Sequence, residues 1–321
     1  MKHWILLGAL TAAIIIPGAA RADGYNSYSW PGWRLSTEEG FNLETNSGKD
    51  SNVRNNRVAF PMTQLVDGDP DTAWVWDDAV WKTRRNAQTN SEPSPARSFN
   101  IESDNSVVAD ELWLMNGYNK REDLWKRNDR VVEIRIHLDH KPVKKVTLSD
   151  QMGWHKISLP RHAWKNLKIE LTGIRKGGGK DNDICLSELA LYSRGKKIDF
   201  GMPRAVIYQL SACCGGTGWL INRGGRVIAT GGTGEGASLE WSPDGKRVAG
   251  ISGQWDESAR KQRTQIWIAD AMRPAVIERV RISQEYPNLR WLSKRTLQVS
   301  VQVETKRRVT YKEVRRIYSP S

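Results

Sequence analysis

The acid-rich stretch Leu65–Trp74, "LVDGDPDTAW", carries the residues best suited to chemistry in this chain. Asp67, Asp69 and Asp71 lie within five residues, separated by a glycine and a proline that favour a turn. Such a turn gathers carboxylate and carbonyl oxygens, and Ca²⁺ takes about six to eight oxygen ligands. Glu188, in "ICLSELALYS", is a candidate for a further carboxylate. An anion-repelling turn and a catalytic carboxylate cluster are the alternatives.

Known signatures of catalysis are missing from the sequence. It contains no G-x-S-x-G, no H-E-x-x-H and no recognisable cysteine–histidine pattern. His137 and His140 are predicted to lie at the surface. Two carboxylates that are distant in the sequence could lie close together in the fold and hydrolyse a glycoside, but no sequence pattern marks such a pair. The sequence therefore favours a binding protein, and an undetected glycan hydrolase is an alternative.

The loop Ile174–Asp183, "IRKGGGKDND", is the clearest glycine-rich segment beside charged residues. Its backbone N–H groups could cradle a phosphate or sulfate. It lacks the G-K-[ST] ending and the following helix of a phosphate-binding loop, so a flexible turn is favoured.

Alternating apolar and polar residues predict that the chain is all-β. The clearest case is "VVEIRIHLD", where Val132, Ile134, Ile136 and Leu138 are expected on one face of a strand. Further runs of this kind are "DELWLMN", "LKIELTGI" and "DICLSELALYS", with turn-forming residues between them. No stretch beyond the N-terminal apolar run shows a long helical period.

Composition divides the chain into segments with different predicted roles. A positive start, an apolar run and the small-x-small site Ala20-Arg21-Ala22 predict a secretory signal peptide over residues 1–22. Residues 23–56 are expected to be a flexible arm. Residues 57–198 carry the first set of strands, with a low-complexity loop at 82–97, and residues 205–318 carry the second set.

Charge and cysteine content narrow the expected partners. The formal net charge is +13 and falls to about +11 without the signal peptide, which favours acidic ligands such as an envelope glycan. Because export separates the protein from most nucleic acid, no nucleic-acid partner is expected. Cys185, Cys213 and Cys214 build no disulfide framework, although a bond between the adjacent pair, or from one of them to Cys185, stays open.

The second strand set contains an internal repeat. Leu239-Glu240-Trp241-Ser242 is followed fifty residues later by Leu289-Arg290-Trp291-Leu292. Each copy precedes a turn and a strand, a pattern typical of propeller blades. The first copy, with "WSPDGK", resembles the repeat of TolB-like propellers. Residues 205–318 offer room for two or three blades, fewer than a closed propeller has, so a sandwich-like relative and a sheet completed by a partner stay open.

The first strand set resembles discoidin domains of the coagulation-factor type C, or galactose-binding-like, family. The likeness rests on "DGDPDTAW" near its start and "SELALY" near its end. "NGY", "NDRV" and "DICLSE" are similar to the branch found in NAD glycohydrolase translocation domains. The fold expected is an all-β discoidin-like jelly-roll β-sandwich, followed by a smaller propeller-blade-like β domain. The glycohydrolase activity of that branch resides in a separate domain and is not expected here.

The resemblance also implies two sites. A structural Ca²⁺ would use side-chain oxygens of Asp67, Thr72 and Glu188 and the carbonyls of Leu65 and Asp69. A glycan would bind in loops at one end of the sandwich, where aromatic rings stack on sugar faces and polar groups bond to hydroxyls. The candidate ligand-binding residues are Trp76, Trp81, Asn116, Tyr118, Asn128 and Arg130.

The sequence thus predicts a periplasmic or secreted, non-catalytic protein that binds a glycan or an acidic envelope polymer. No transmembrane segment is expected after cleavage of the signal peptide. The C-terminal β region could bind a protein partner, and a periplasmic scaffold for protein contacts is the main alternative function.

Overall fold

The computed structural model describes residues 26–37, 60–77, 97–180, 183–212, 215–234, 239–256, 261–273, 275–282, 288–305 and 308–318. These residues form antiparallel β-sheets, one 3₁₀ helix, Met62–Leu65, and one α-helix, α1, Glu122–Arg127. The chain is therefore nearly all-β, as predicted. None of the helices in these ranges has the length and apolar character needed to cross a membrane.

The strands are numbered along the chain. Those of the first half are β1 (Asn26–Trp30), β2 (Trp33–Thr37), β3 (Trp74–Asp77), β4 (Ser98–Val108), β5 (Glu111–Asn116), β6 (Arg130–Leu138), β7 (Lys141–Thr147), β8 (Trp154–Ser158), β9 (Ala163–Arg175), β10 (Asp183–Ser193) and β11 (Lys196–Lys197). Those of the second half are β12 (Ala205–Ala212), β13 (Gly215–Asn222), β14 (Val227–Gly234), β15 (Leu239–Trp241), β16 (Arg247–Asp256), β17 (Lys261–Asp270), β18 (Ala275–Ile282), β19 (Asn288–Ser293), β20 (Thr296–Thr305) and β21 (Arg308–Tyr318).

A β-sandwich forms the centre of the molecule. Its large sheet has nine strands in the order β14-β13-β12-β1-β2-β4-β9-β6-β7, and its small sheet runs β11-β10-β5-β8, with β3 also paired to β10. Apolar side chains of both sheets meet in one core cluster, including Phe99 and Ile136 of the large sheet and Leu112 and Leu189 of the small one. The discoidin-like sandwich predicted from sequence is therefore present.

The alternation predicted for "VVEIRIHLD" holds over most of β6. Ile134, Ile136 and Leu138 are buried, as expected. Val131 and not Val132 takes the preceding inward position, because the register of β6 against β9 shifts between Val131 and Glu133. A bulge of this kind inserts one residue and reverses which side chains face the core.

The predicted flexible arm is wrong where the structure describes it. Residues 26–37 form β1 and β2 in the middle of the nine-stranded sheet, with Tyr28 and Leu35 completely buried. The Trp30 indole N–H donates a hydrogen bond to the carbonyl of Phe200 at 2.8 Å. The polar, glycine-containing composition of residues 23–56 concealed two short aromatic strands that tertiary burial stabilises.

The boundary predicted between residues 198 and 205 does not separate two sheets. Strands β12, β13 and β14 extend the nine-stranded sheet through pairing of β12 with β1. Tyr208 stacks between Tyr28 and Trp219, with ring centroids 4.8 and 5.2 Å away. The first three strands of the second set therefore complete the core of the sandwich.

Two further sheets stack behind these strands. The sheet β15-β16-β17-β18 packs Val248 and Trp267 against Ile207 and Leu220. Its opposite face packs on the sheet β19-β20-β21 through a second apolar cluster. The repeated tryptophans, Trp241 and Trp291, lie in the first strand of these two sheets. Since the described strands form stacked sheets and no closed ring, the propeller assignment stays a prediction.

Candidate functional site

The acid-rich turn lies directly after the 3₁₀ helix and is held by its own side chains. Gly68 has φ +79°, which allows the chain to reverse. Asp67 Oδ1 accepts a hydrogen bond from the backbone N–H of Asp69 at 2.9 Å. The Thr72 hydroxyl lies 3.1 Å from Asp67 Oδ2 and 2.9 Å from the carbonyl oxygen of Asp69. The turn is thus closed by a short aspartate–threonine network.

Glu188 of β10 lies beneath this turn. Its side chain is buried, with 1 % of its surface exposed, and neither carboxylate oxygen has a donor in hydrogen-bond geometry. Burial, and then the neighbouring charge of Asp67, raise the pKa of Glu188 to about 8, although the nearby N–H groups of Gly68 and Leu189 oppose the rise. The structure therefore brings together Asp67 and Glu188, which are far apart in the sequence.

The oxygen groups at this turn are of the kind that a hard cation binds. A buried carboxylate without donors is costly unless it is paired with positive charge. Two carboxylates and nearby carbonyl oxygens are the ligand types that Ca²⁺ prefers. Among the described residues no cluster of three or more His, Cys, Asp and Glu could hold a metal, so backbone oxygens, such as those predicted at Leu65 and Asp69, would have to complete the ligand set.

A cavity of about 180 Å³ opens on the outer side of β3 and β10. Val75 and Cys185 form its floor, and the C-terminal end of α1 forms one wall. The residues lining it are Phe60, Val75, Tyr118, Leu124, Arg127, Asn128, Gly179, Asp183 and Cys185. Two aromatic rings, a guanidinium, an amide and a carboxylate therefore surround one small apolar floor.

Tyr118 is presented by a tightly built loop after β5. Gly117 has φ +79°, and a Cβ there would lie 2.6 Å from the indole of Trp125. The Asn119 side-chain amide donates to the carbonyls of Asn116 and Gly117, and its backbone N–H donates to the Ser187 hydroxyl at 2.8 Å. These bonds fix the backbone on both sides of Tyr118, so its position does not depend on a ligand.

Burial perturbs two groups at the cavity. It raises the pKa of the Tyr118 phenol, with a smaller contribution from the nearby charge of Asp71. It also raises the pKa of the Cys185 thiol far above its ordinary value. Both groups are therefore neutral at physiological pH, and Cys185 is a poor nucleophile because its thiolate form is suppressed.

The glycine-rich loop that follows β9 lies against the end of α1. The backbone N–H groups of Gly178 and Gly179 donate to the carbonyls of Lys126 and Arg127, both at 2.9 Å. The backbone N–H of Gly177 donates to Asp129 Oδ1 at 2.9 Å. The loop is neither the anion cradle considered from sequence nor a freely flexible turn, because its N–H groups cap the helix.

Comparison with known proteins matches this part of the molecule to a family. Residues 98–192 match the family model of the NAD glycohydrolase translocation F5/8 type C domain. This segment is an F5/8 type C domain. No curated protein sequence matches the chain.

Solved structures similar to the chain include carbohydrate-binding modules. One holds the CBM32-1 and CBM32-2 domains of Clostridium perfringens ZmpB in complex with GalNAc (16 % identity, 43 % of this chain and 31 % of that chain, TM-score 0.30). Another is the family 32 module of C. perfringens NanJ in complex with galactose (12 % identity, 44 % and 88 %, TM-score 0.30). A third is a pectin-binding module (12 % identity, 52 % and 93 %, TM-score 0.31). This chain thus spans about a third of the ZmpB structure, and similarity this low assigns no ligand.

Within the F5/8 type C domain, two predicted sugar ligands line the cavity, Tyr118 and Asn128. Asn128 also caps α1, since its side-chain amide donates to the Leu124 carbonyl at 2.8 Å. Trp81 lies outside the described residues. The structure therefore brings together part of the predicted sugar site.

Three predicted sugar ligands are corrected by their burial. Trp76 is 2 % exposed and packs edge-on against Trp74 in the core. Asn116 is fully buried, and its side chain bonds to the backbone N–H and carbonyl of Val131. Arg130 is buried over the ring of Trp125 and bonds to Asp150 at 2.8 Å. All three are buried parts of the β-sandwich and are not positioned to contact a ligand.

Arg127 is one of the cavity residues that the sequence analysis did not predict. It ends α1, and its side chain is exposed and forms no ion pair with another described residue. The signal was "REDLWKRND", where acidic residues precede and basic residues follow a short apolar centre, as in a helix aligned with its dipole. Because the chain was expected to be all-β, this helix was not predicted. The position of its last residue near Tyr118 was therefore not predicted either.

Proposed function

We propose that this chain is an exported, non-catalytic protein whose F5/8 type C domain binds one sugar unit of a glycan in the cavity beside Tyr118. The observation that carries the proposal is the composition of that cavity. A phenol ring offers an apolar surface for the C–H face of a sugar, while Arg127 and Asn128 offer hydrogen-bonding groups for its hydroxyls.

The size of the cavity supports a single sugar and not a larger ligand. Its volume is about 180 Å³, below the range of about 300–1,000 Å³ of pockets that enclose drug-sized molecules. A glycan would therefore place one ring in the cavity and leave the rest of its chain outside.

Charge favours an acidic glycan. The formal net charge of the whole chain is +13, and the cavity lining carries the guanidinium of Arg127 as well as the carboxylate of Asp183. A guanidinium can bind a carboxylate through two parallel hydrogen bonds. Uronic acids or other acidic sugars of a cell envelope are therefore the proposed ligands.

A structural Ca²⁺ is the proposed cofactor. Glu188 and Asp67 would supply carboxylate oxygens beneath and within the acid-rich turn, and the ion would neutralise the buried Glu188. Its contribution would be to fix this turn to β10.

The direct test is glycan-array binding with the full mature chain and a Tyr118→Ala variant. Removal of the ring should weaken binding about tenfold or more, because a central aromatic contact contributes about 1–2 kcal/mol or more. Tyr118→Phe keeps the ring and should retain most of the affinity. Met272→Ala, at an exposed residue of the second region, is the control for nonspecific loss.

Two outcomes would contradict this function. Equal glycan binding by the wild-type protein and Tyr118→Ala would show that the glycan does not bind in this cavity. Absence of glycan binding by the wild-type protein, or turnover of a bound glycan into shorter products, would reject non-catalytic glycan binding itself.

A further inference from the structure

The outer face of the small sheet continues from the cavity along β10, β5 and β8. Leu112 and Leu114 point into the core, so Trp113 and Met115, which alternate with them, face outward. The register pairs Trp113 with Lys156 and Met115 with Trp154 on the neighbouring strand. These residues therefore lie on the same side of the small sheet as the cavity floor formed by Val75 and Cys185.

Three aromatic side chains form a cluster on this face. Trp113 lies at its centre, 4.5 Å from Tyr192 with the rings inclined by 30°, and 6.1 Å from Trp154 with the rings inclined by 63°. The Trp113 indole N–H donates to Glu111 Oε2 at 2.8 Å. Trp113 is thus held in place from several sides and supports the ring beside it.

Trp154 is the open member of the cluster. Its residue surface is 38 % exposed, and the neighbouring Met152 is equally exposed. A hydrogen bond connects the loop before Trp154 to the loop that carries Tyr118, because the backbone N–H of Gly153 donates to Asn119 Oδ1 at 2.8 Å. An exposed tryptophan supported by other aromatic residues is typical of a binding surface.

Cations border the cluster. Lys156 lies 5.5 Å from the Trp113 ring centroid and binds Glu111, Lys197 is paired with Tyr192 across the strands, and exposed Lys144 donates to the carbonyl of Ser158. Glu111 offsets one of these three lysines. The surface therefore combines an open aromatic ring with net positive charge.

We infer that this outer face is a second contact surface, which binds the extended part of an acidic polysaccharide whose end sugar occupies the cavity. Such a chain offers both apolar C–H faces for Trp154 and carboxylates for the lysines, as the surface requires. The inference rests on the proposed function, since it assumes that the cavity holds a sugar. It adds a second contact surface and the residues by which the protein would recognise the length of an acidic polymer.

The experiment compares galacturonic acid, polygalacturonate and fully methyl-esterified polygalacturonate as probes for the full mature chain. Trp154→Ala should weaken polymer binding about tenfold, the equivalent of about 1.4 kcal/mol, and leave binding of the single sugar unchanged. Lys156→Ala should weaken binding of the charged polymer and not of the esterified one. Leu292→Ala and Lys246→Ala, exposed positions of the second region, are the matched controls.

The outcomes separate the two proposals. Unchanged polymer affinity in Trp154→Ala, with loss of affinity in Tyr118→Ala, would overturn the second surface and leave the cavity function intact. Sedimentation could show that Trp154→Ala loses self-association and keeps its polymer affinity. This result would mean that the surface binds another copy of the chain, and it would also overturn the inference. Loss of binding in Trp154→Ala with no effect of Tyr118→Ala would reject the cavity function, and it would overturn the inference that one polymer occupies both surfaces.

Discussion

The buried carboxyl group of Glu188 makes the stability of the protein depend on pH. Its ordinary pKa of 4.5 rises to about 8 because burial and the charge of Asp67 both disfavour its ionised form. In the unfolded chain the same carboxyl is ionised above about pH 4.5. The native protein therefore binds one more proton than the unfolded chain between these two values, and its stability falls as pH rises through this window.

Calcium should reverse that fall. We expect chelator-treated protein to lose thermal stability as the pH rises from about 5 to about 8, because Glu188 must ionise without a partner. Added Ca²⁺ should raise the melting temperature, most strongly at the upper end, and contribute about 2.7 kcal/mol at a concentration about 100 times its Kd. Differential scanning calorimetry with and without Ca²⁺ measures both effects.

Glu188→Gln provides the matched control, since it removes the charge and keeps the shape. This variant should show neither the decline with pH nor the response to Ca²⁺. An identical calcium response in Glu188→Gln, or no response in the wild-type protein, would reject the metal site.

The sequence marked candidate site residues where a turn or a family motif is distinctive. Asp67 stood out because a dense acidic turn needs a cation or donors, and Glu188 stood out from the motif near the end of the first strand set. Tyr118 was recognisable from its place after Asn116-Gly117. Arg130 was misassigned because a charged side chain in a loop-like segment is normally exposed, whereas here Trp125 and Asp150 bury and pair it.

At the scale of elements, α1 and the glycine-rich loop depend on each other. The helix has only six residues, too few to be stable alone. The N–H groups of Gly178 and Gly179 bond to its last carbonyls. This contact also sets the position of Arg127 at the cavity. The loop therefore supports the site through its backbone.

Substitution of single glycines should reveal this dependence. A Cβ at Gly177 would overlap the carbonyl oxygens of Arg127 and Asn128, so Gly177→Ala should destabilise the protein by about 1–3 kcal/mol. Gly178→Ala is the control, because its Cβ would meet only the Lys126 carbonyl oxygen, at 3.8 Å. Chemical denaturation of both variants measures the difference, and equal stability would mean that the loop can move away from α1.

Long alternating strands were the elements that the sequence predicted well. In β6, Ile134, Ile136 and Leu138 face the core because one buried sheet face imposes a two-residue period. The bulge before them could not be predicted, since nothing in "VVEI" distinguishes Val131 from Val132 as the inward residue. Strands β1 and β2 were missed because each has five residues, too few to establish a period against a polar background.

At the scale of the whole molecule, the nine-stranded sheet joins the sandwich to the second region. Tyr28 and Trp30 of β1 are buried between β12 and β2, and Trp30 bonds to Phe200 in the connecting segment. The two strand sets that composition separated therefore share one hydrophobic core. The sequence predicted a jelly-roll β-sandwich, but it could not show that the N-terminal strands pair with strands of both sets.

Trp30→Ala should therefore weaken both regions at once. Loss of a buried tryptophan costs about 3–5 kcal/mol, and the shared sheet should transmit this loss to a single, earlier unfolding transition. Calorimetry combined with limited proteolysis can follow both regions, with Leu292→Ala as a surface control. Two separate transitions, of which only one shifts in Trp30→Ala, would show that the regions unfold independently.

The position of β1 has a consequence for biosynthesis. Its neighbour β12 is made only after the whole F5/8 type C domain, so Tyr28 cannot reach Tyr208 until most of the chain has emerged. Pairing between such distant segments slows folding. Until then β1 presents an unpaired edge to other nascent chains, and a product truncated before Ala205 would retain that edge and be prone to aggregate.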